Sequence, residues 1–66
     1  MAKPIFRLNR VNESGSETQI HSGDYDRMVD AIIQNSLNAI RHNCSYHYRL
    51  IDPEGAVRVE VHGTIR

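Results

Sequence analysis

Apolar and polar residues alternate one for one through the last third of the chain. Tyr46, Tyr48, Leu50, Val57, Val59 and Val61 fall on one side, and His47, Arg49, Arg58, Glu60 and His62 on the other. A period of two marks a strand with one face buried, which predicts strands over 45–51 and 56–62. Asp52-Pro53-Glu54-Gly55 separates them, with proline second and glycine last as in a type I turn. A one-residue slip would expose one arm's apolar set. The in-phase pairing therefore sets Leu50 opposite Val57, Tyr48 opposite Val59 and Tyr46 opposite Val61. On the polar face it sets His47 opposite Glu60 and Arg49 opposite Arg58.

The first third carries a weaker version of the same pattern. A strand is predicted over 4–11, with Phe6 and Leu8 on one side and Arg7 and Asn9 on the other. Pro4 suits its opening residue. Asn12-Glu13-Ser14-Gly15-Ser16 is a cluster of turn formers. A short strand over 17–21 follows, with Thr18 and Ile20 inward and Gln19 and His21 outward. Either this segment or the 45–51 strand is expected to be a free sheet edge.

Between the hairpins the period changes to that of a helix. Tyr25, Met28, Val29, Ile32, Ile33, Ser36, Leu37, Ala39 and Ile40 share one side; Arg27, Asp30, Gln34, Asn38 and Arg41 share the other. The helix is predicted over 24–42. Ser22 or Asp24 can cap its start, and Asp24 and Asp26 complement the dipole there. Arg41 and His42 suit the last turn, and Asn43 suits a left-handed stop. The apolar arc spans about half the circumference, more than the ~100° that one sheet covers. Ile33 and Leu37 lie at one edge of it. They serve either as added core or as the contact with a second copy in a homodimer.

The elements add up to one α+β domain across residues 1–66, in the order ββαββ. One amphipathic helix should cover one face of a four-stranded antiparallel or mixed sheet, since only one sheet face is apolar. In element order this resembles β-grasp modules such as the immunoglobulin-binding domain of protein G. The resemblance is one of architecture, and no binding residues carry over from it.

Length and charge narrow the function classes. A chain of 66 residues buries only about 60% of its unfolded surface, so dimerisation is an expected remedy. Eight basic and eight acidic side chains cancel, so no global pull toward nucleic acid or an anionic membrane is encoded. The basic set is seven arginines and one lysine. Arginine presents a planar fork suited to carboxylates, phosphates and aromatic faces. Cys44 is the lone cysteine, which rules out an internal disulfide and suits a reducing cytoplasm. The segment Met1–Arg7 has no apolar run long enough for a signal peptide, and nothing approaches the ~20 apolar residues of a membrane span. The Asn-x-Ser triplets at Asn12 and Asn43 are glycan acceptors only in a secreted chain.

Candidate chemistry concentrates on the outward sheet face. Arg7, His47, Arg49, Arg58, Glu60 and His62 form the expected partner-binding set, with Asn9, Gln19 and His21 beside them. Like charges directly opposite destabilise a ladder, so an Arg49–Arg58 pair needs Glu60 or an anionic partner to relieve it. The same face is the alternative site for RNA or single-stranded DNA. It lacks the outward aromatic platforms on which bases stack. His42, Cys44 and His47 are soft ligands in a spacing that matches no structural zinc site. No metal or other cofactor is expected. Cys44 with His42 or His47, and Glu60 with His47, are conceivable nucleophile–base or acid–base pairs, but a fold this small offers little room for a pocket. No catalytic residue is assigned. The expected function is a non-enzymatic cytoplasmic protein-interaction module, docking through its sheet face or an edge strand. Free-standing chains of this size and balance resemble regulators or inhibitors of phage and mobile-element type. A homodimer is the third alternative.

Overall fold

The computed structural model describes residues 4–64. Met1, Ala2 and Lys3, the start of the segment in which no signal peptide is expected, lie outside the described residues. Strands β1 (Phe6–Val11) and β2 (Glu17–Gly23) precede helix α1 (Tyr25–Arg41), and β3 (Tyr46–Ile51) and β4 (Val57–Gly63) follow it. The sheet runs β2-β1-β3-β4, and every neighbouring pair is antiparallel. Of the two predicted architectures, the antiparallel one is therefore correct. β2 is an edge, as one reading expected, but β3 is central, and the second edge is β4.

Both ends of α1 follow from side chains. Asp24 takes an extended conformation and its Oδ1 accepts from the Arg27 amide at 2.8 Å, supplying one first-turn donor with a partner. Ser22 belongs to β2. At the far end Asn43 has φ 52°, and the Cys44 amide donates back to the Ala39 carbonyl at 2.8 Å. That long reach closes the helix over its last carbonyls.

The core lies between α1 and one sheet face. Leu8 and Leu50 are fully buried on the two central strands, and Tyr48, Met28 and Ile32 pack with them. Phe6, Ile20, Val29, Ala31, Tyr46, Val59 and Val61 surround that group. Phe6 meets Tyr25 edge to face, with ring centroids 5.3 Å apart.

The second hairpin departs from the predicted register by two residues, in two separable steps. The first is the turn. The Asp52 amide donates to the Ala56 carbonyl at 2.9 Å, and Gly55 sits at φ 91°. Pro53, Glu54 and Gly55 thus form a three-residue loop that ends in a left-handed glycine. The second step is a bulge. Ile51 pairs with Val57 and Leu50 with Val59, leaving Arg58 as the extra residue. Beyond it Tyr48 faces Val61, Arg49 faces Glu60, and His47 faces His62. Two slips of one restore the period of two, so Val59 and Val61 still point to the core. Only Val57 is turned out, opposite Ile51 and half exposed. The predicted Arg49–Arg58 and His47–Glu60 ladder pairs do not form.

The first hairpin repeats this design. The Asn12 amide donates to the Ser16 carbonyl at 2.8 Å, Gly15 has φ 88°, and a bulge leaves Ile20 as the extra residue. The bulge sets His21 opposite Leu8, so His21 is not among the outer-face residues as predicted. Asn12 and Gly15 stand to this hairpin as Asp52 and Gly55 stand to the other. Phe6 pairs with Gly23 as Tyr46 pairs with Gly63. The central β1–β3 ladder pairs Asn9 with Arg49, and an approximate twofold through that pair relates the two hairpins. The single helix breaks this symmetry.

Candidate functional site

Two surfaces stand out, one polar and one apolar. On the outer sheet face, β3 and β4 bring together four of the predicted residues. Arg49 Nε donates to Glu60 Oε2 at 2.5 Å, and His47 Nε2 lies 2.8 Å from the same oxygen. The His47 and His62 rings stand 5.4 Å apart across the ladder. Arg49 also reaches across β1, with Nη1 donating to Glu17 Oε2 at 3.2 Å. Glu17 is held from its other oxygen by Asn9 Nδ2 at 3.3 Å. The Arg49 and His47 hydrogen bonds lower the Glu60 pKa from 4.5 to about 2. Arg49 is correspondingly raised, chiefly by its hydrogen bond to Glu60. This carboxylate and guanidinium stay charged together over the whole working pH range.

Arg58 is placed elsewhere. Its Nε donates at 3.0 Å to Asp52 Oδ2 beside the turn. Asp52 is only 3% exposed, and its other oxygen accepts the Glu54 and Ala56 amides at 3.0 and 2.8 Å. Those backbone donors, with Ala56 first, pull the Asp52 pKa down. Arg7 remains on the outer face, paired in the ladder with Ile51 and Ser22 and without an ion partner among the described residues. The predicted basic plane is thus largely neutralised from within: Arg49 by Glu60 and Glu17, Arg58 by Asp52.

Glu17 and Asp52 were missed as ion-pair partners. Asp52 had a local signal, since an Asp two and four residues before backbone donors in a turn is an Asx motif. Glu17 had none, because its meeting with Arg49 depends on β1 lying between β2 and β3.

The apolar surface lies on the helix. α1 packs on β1, β2 and β3, and β4 lies outside its main contacts. Two observations orient it. A Cβ built on Gly23 of β2 would lie 3.4 Å from Met28 Cε. The same Cβ would lie 3.8 Å from Arg27 Cδ, and Arg27 and Asn38 share the side of the helix across from Ile33 and Ile40. The flank bearing Arg27 therefore faces β2, and the opposite flank faces away from it, toward β4. That opposite flank carries Ile33, Leu37 and Ile40, exposed by 50%, 45% and 46%. Beneath it the inner face of β4 presents Val59 and Val61, each half-buried. Ile33 and Leu37, the predicted dimer contact, thus lie on an open surface, and Ile40 joins them although its sequence position read as core.

Phe6, Tyr46 and Tyr48 are directed inward, whereas Tyr25, expected on the core side of the helix, is 46% exposed. Phe6 lies against Tyr25, and the Tyr46 and Tyr48 rings stack on the core side with centroids 6.3 Å apart. No Phe or Tyr stands on the outer face among the described residues. Cys44 is exposed, with Sγ donating to the His42 carbonyl at 3.4 Å. Among the described residues no three His, Cys, Asp or Glu side chains gather as a metal site. No described helix is long and apolar enough to cross a membrane. No protein-family model matches the sequence, and neither a curated protein nor a solved structure matches it.

Proposed function

We propose that this chain is a small, non-enzymatic protein-interaction module whose working surface is the β4-facing flank of α1. The observation that carries the reading is the row Ile33, Leu37 and Ile40, about half exposed, in a domain where, among the described residues, Leu8 and Leu50 are the large side chains fully buried. A chain this short needs its apolar residues inside. Three aliphatic side chains left out on one flank, beside an unroofed strand, mark an interaction site. The outer sheet face supports a secondary role, because its arginines are already paired within the chain. The exposed lone thiol of Cys44 suits a reducing, cytoplasmic setting.

The test is affinity capture from nuclease-treated lysate with the wild-type chain, Leu37→Glu and Arg49→Glu. We expect a nuclease-resistant protein that Leu37→Glu loses and Arg49→Glu keeps. Capture unaffected by Leu37→Glu overturns the helix-flank reading. Capture lost only with Arg49→Glu, or only after nuclease treatment, moves the site to the sheet face or to nucleic acid.

A further inference from the structure

The flank that faces β4 has a pattern of its own. Asp26, Asp30, Ile33, Leu37 and Ile40 follow alternating steps of four and three, the spacing that keeps one seam of a helix against a neighbouring helix. The seam is divided. Its first half is acidic, at Asp26 and Asp30, and its second half is apolar and bordered by Arg41. None of Asp26, Asp30 and Arg41 has an ion partner among the described residues.

From this division we infer that the occupant of the flank is a second copy of this chain, with the two α1 helices antiparallel about a twofold axis near Leu37. The inference rests on the proposed interaction role and names its partner. Antiparallel pairing sets Ile33 of each copy against Ile40 of the other, with the two Leu37 side chains between them. It also brings each Asp30 to within one helical turn of the other copy's Arg41, so opposite charges close both ends of the apolar contact. Parallel pairing would set Asp26 and Asp30 against themselves, and like charges at such a seam are repulsive. A twofold contact must use one patch on both copies, and this seam is complementary to itself. Because the flank is on the β4 side of the helix, the same approach brings the partner over Val59 and Val61, which are only partly buried within the chain.

The experiment is light scattering and sedimentation equilibrium of the full chain over a wide concentration range. Helix content is followed by circular dichroism. We expect twice the 7.6 kDa chain mass, and the chain mass for Leu37→Glu with helix content retained. Asp30→Arg should weaken association by roughly tenfold, the scale of a pair of lost charge contacts. Adding Arg41→Asp to Asp30→Arg should restore it, a rescue that a merely stickier surface would not show. A 7.6 kDa species at every concentration, or a dimer indifferent to both substitutions, overturns the inference. If the wild-type chain is monomeric yet captures a different protein through Leu37, the self-association fails while the broader docking role stands.

Discussion

Tyr46 lies flat over Gly63: a Cβ built on that glycine would sit 2.6 Å from Cε1 of the ring and 2.7 Å from Cζ. The two residues are ladder partners at the open end of the β3–β4 hairpin. Glycine is needed at 63 for space, since its φ is not in the left-handed region. Tyr46 in turn stacks on Tyr48, whose side chain is in the core. We therefore expect Gly63→Ala to displace the tyrosine and cost about 1–3 kcal/mol, the usual penalty of overpacking. Tyr46→Ala in the Gly63→Ala background should cost less than the sum of the single changes. Urea unfolding of the four proteins measures this coupling, and strict additivity would mean that ring and glycine do not constrain each other.

The Asp52 carboxylate organises the turn that sets the register of the last strand. It accepts the Glu54 and Ala56 amides and the Arg58 Nε while nearly excluded from solvent. Asp52→Ala leaves those donors without an acceptor and removes what favours the three-residue loop. The melting midpoint should drop by several degrees, and amide exchange should speed up at Val57 and Val59 before it does at Leu8. Arg58→Ala removes only an exposed partner and should cost far less. Equal losses for the two variants would show that Asp52 acts only as half of an ion pair.

Much of this architecture is legible in the residue pattern, and the misread parts share one cause. Alternation located the strands, and the 3.6 period located α1 with its Asp24 start and Asn43 stop. These are local properties, set by side chains within a few positions of each other. The register of the second hairpin was misread because it inserts a residue twice, once in a left-handed glycine loop and once in a bulge, and the matching bulge in the first hairpin sets His21 on the side of Leu8. Gly55 was visible as a turn residue, but a type I reading takes it as the fourth position and leaves the loop one residue short. The Arg58 bulge carries no comparable mark, and Val57 looked like any other inward valine. The outer face keeps His47, Arg49, Glu60 and His62 together but loses His21 to the inner side and Arg58 to the turn; Arg49 meets Glu60 and Glu17, and the neutralisation that follows was invisible without the strand order. Ile33 and Leu37 could be placed at the edge of the apolar arc. That they remain uncovered depends on where the helix settles across the sheet, which no helical wheel contains.

Burial separates two leucines that look alike in the sequence. Leu50 is fully buried on a central strand, whereas Leu37 is 45% exposed. Leu50→Ala should cost about 2–5 kcal/mol through lost transfer energy and the cavity left behind. Leu37→Ala should cost well under ~1.5 kcal/mol in the isolated chain, since a half-exposed side chain loses little burial. Chemical denaturation at low and high protein concentration checks both. The Leu50→Ala deficit should not depend on concentration. A deficit for Leu37→Ala that grows with concentration would register the contact it makes between copies, because association stabilises only the folded form. A large, concentration-independent deficit at Leu37 would place that side chain in the chain's own core.

Glu60 ties acid stability to the outer face. Its pKa falls from 4.5 to about 2 in the folded chain, so the folded form binds the proton less readily than the unfolded one. Stability from this group is complete above the unfolded value near 4.5 and is lost as pH falls from there toward about 2. The hydrogen bond from Arg49 is the main cause and that from His47 the second. Removing Arg49 should therefore flatten this part of the curve more than removing His47. Glu60→Gln cannot titrate and should lose less stability than wild type between pH 4.5 and 2, while being less stable than wild type at pH 6. Asp52 is also lowered, so the variant keeps a residual acid dependence. Urea midpoints for the two proteins across that interval provide the measurement. Curves that run parallel down to pH 2 would mean that the Arg49–Glu60–His47 arrangement is too loosely held in solution to shift the carboxylate.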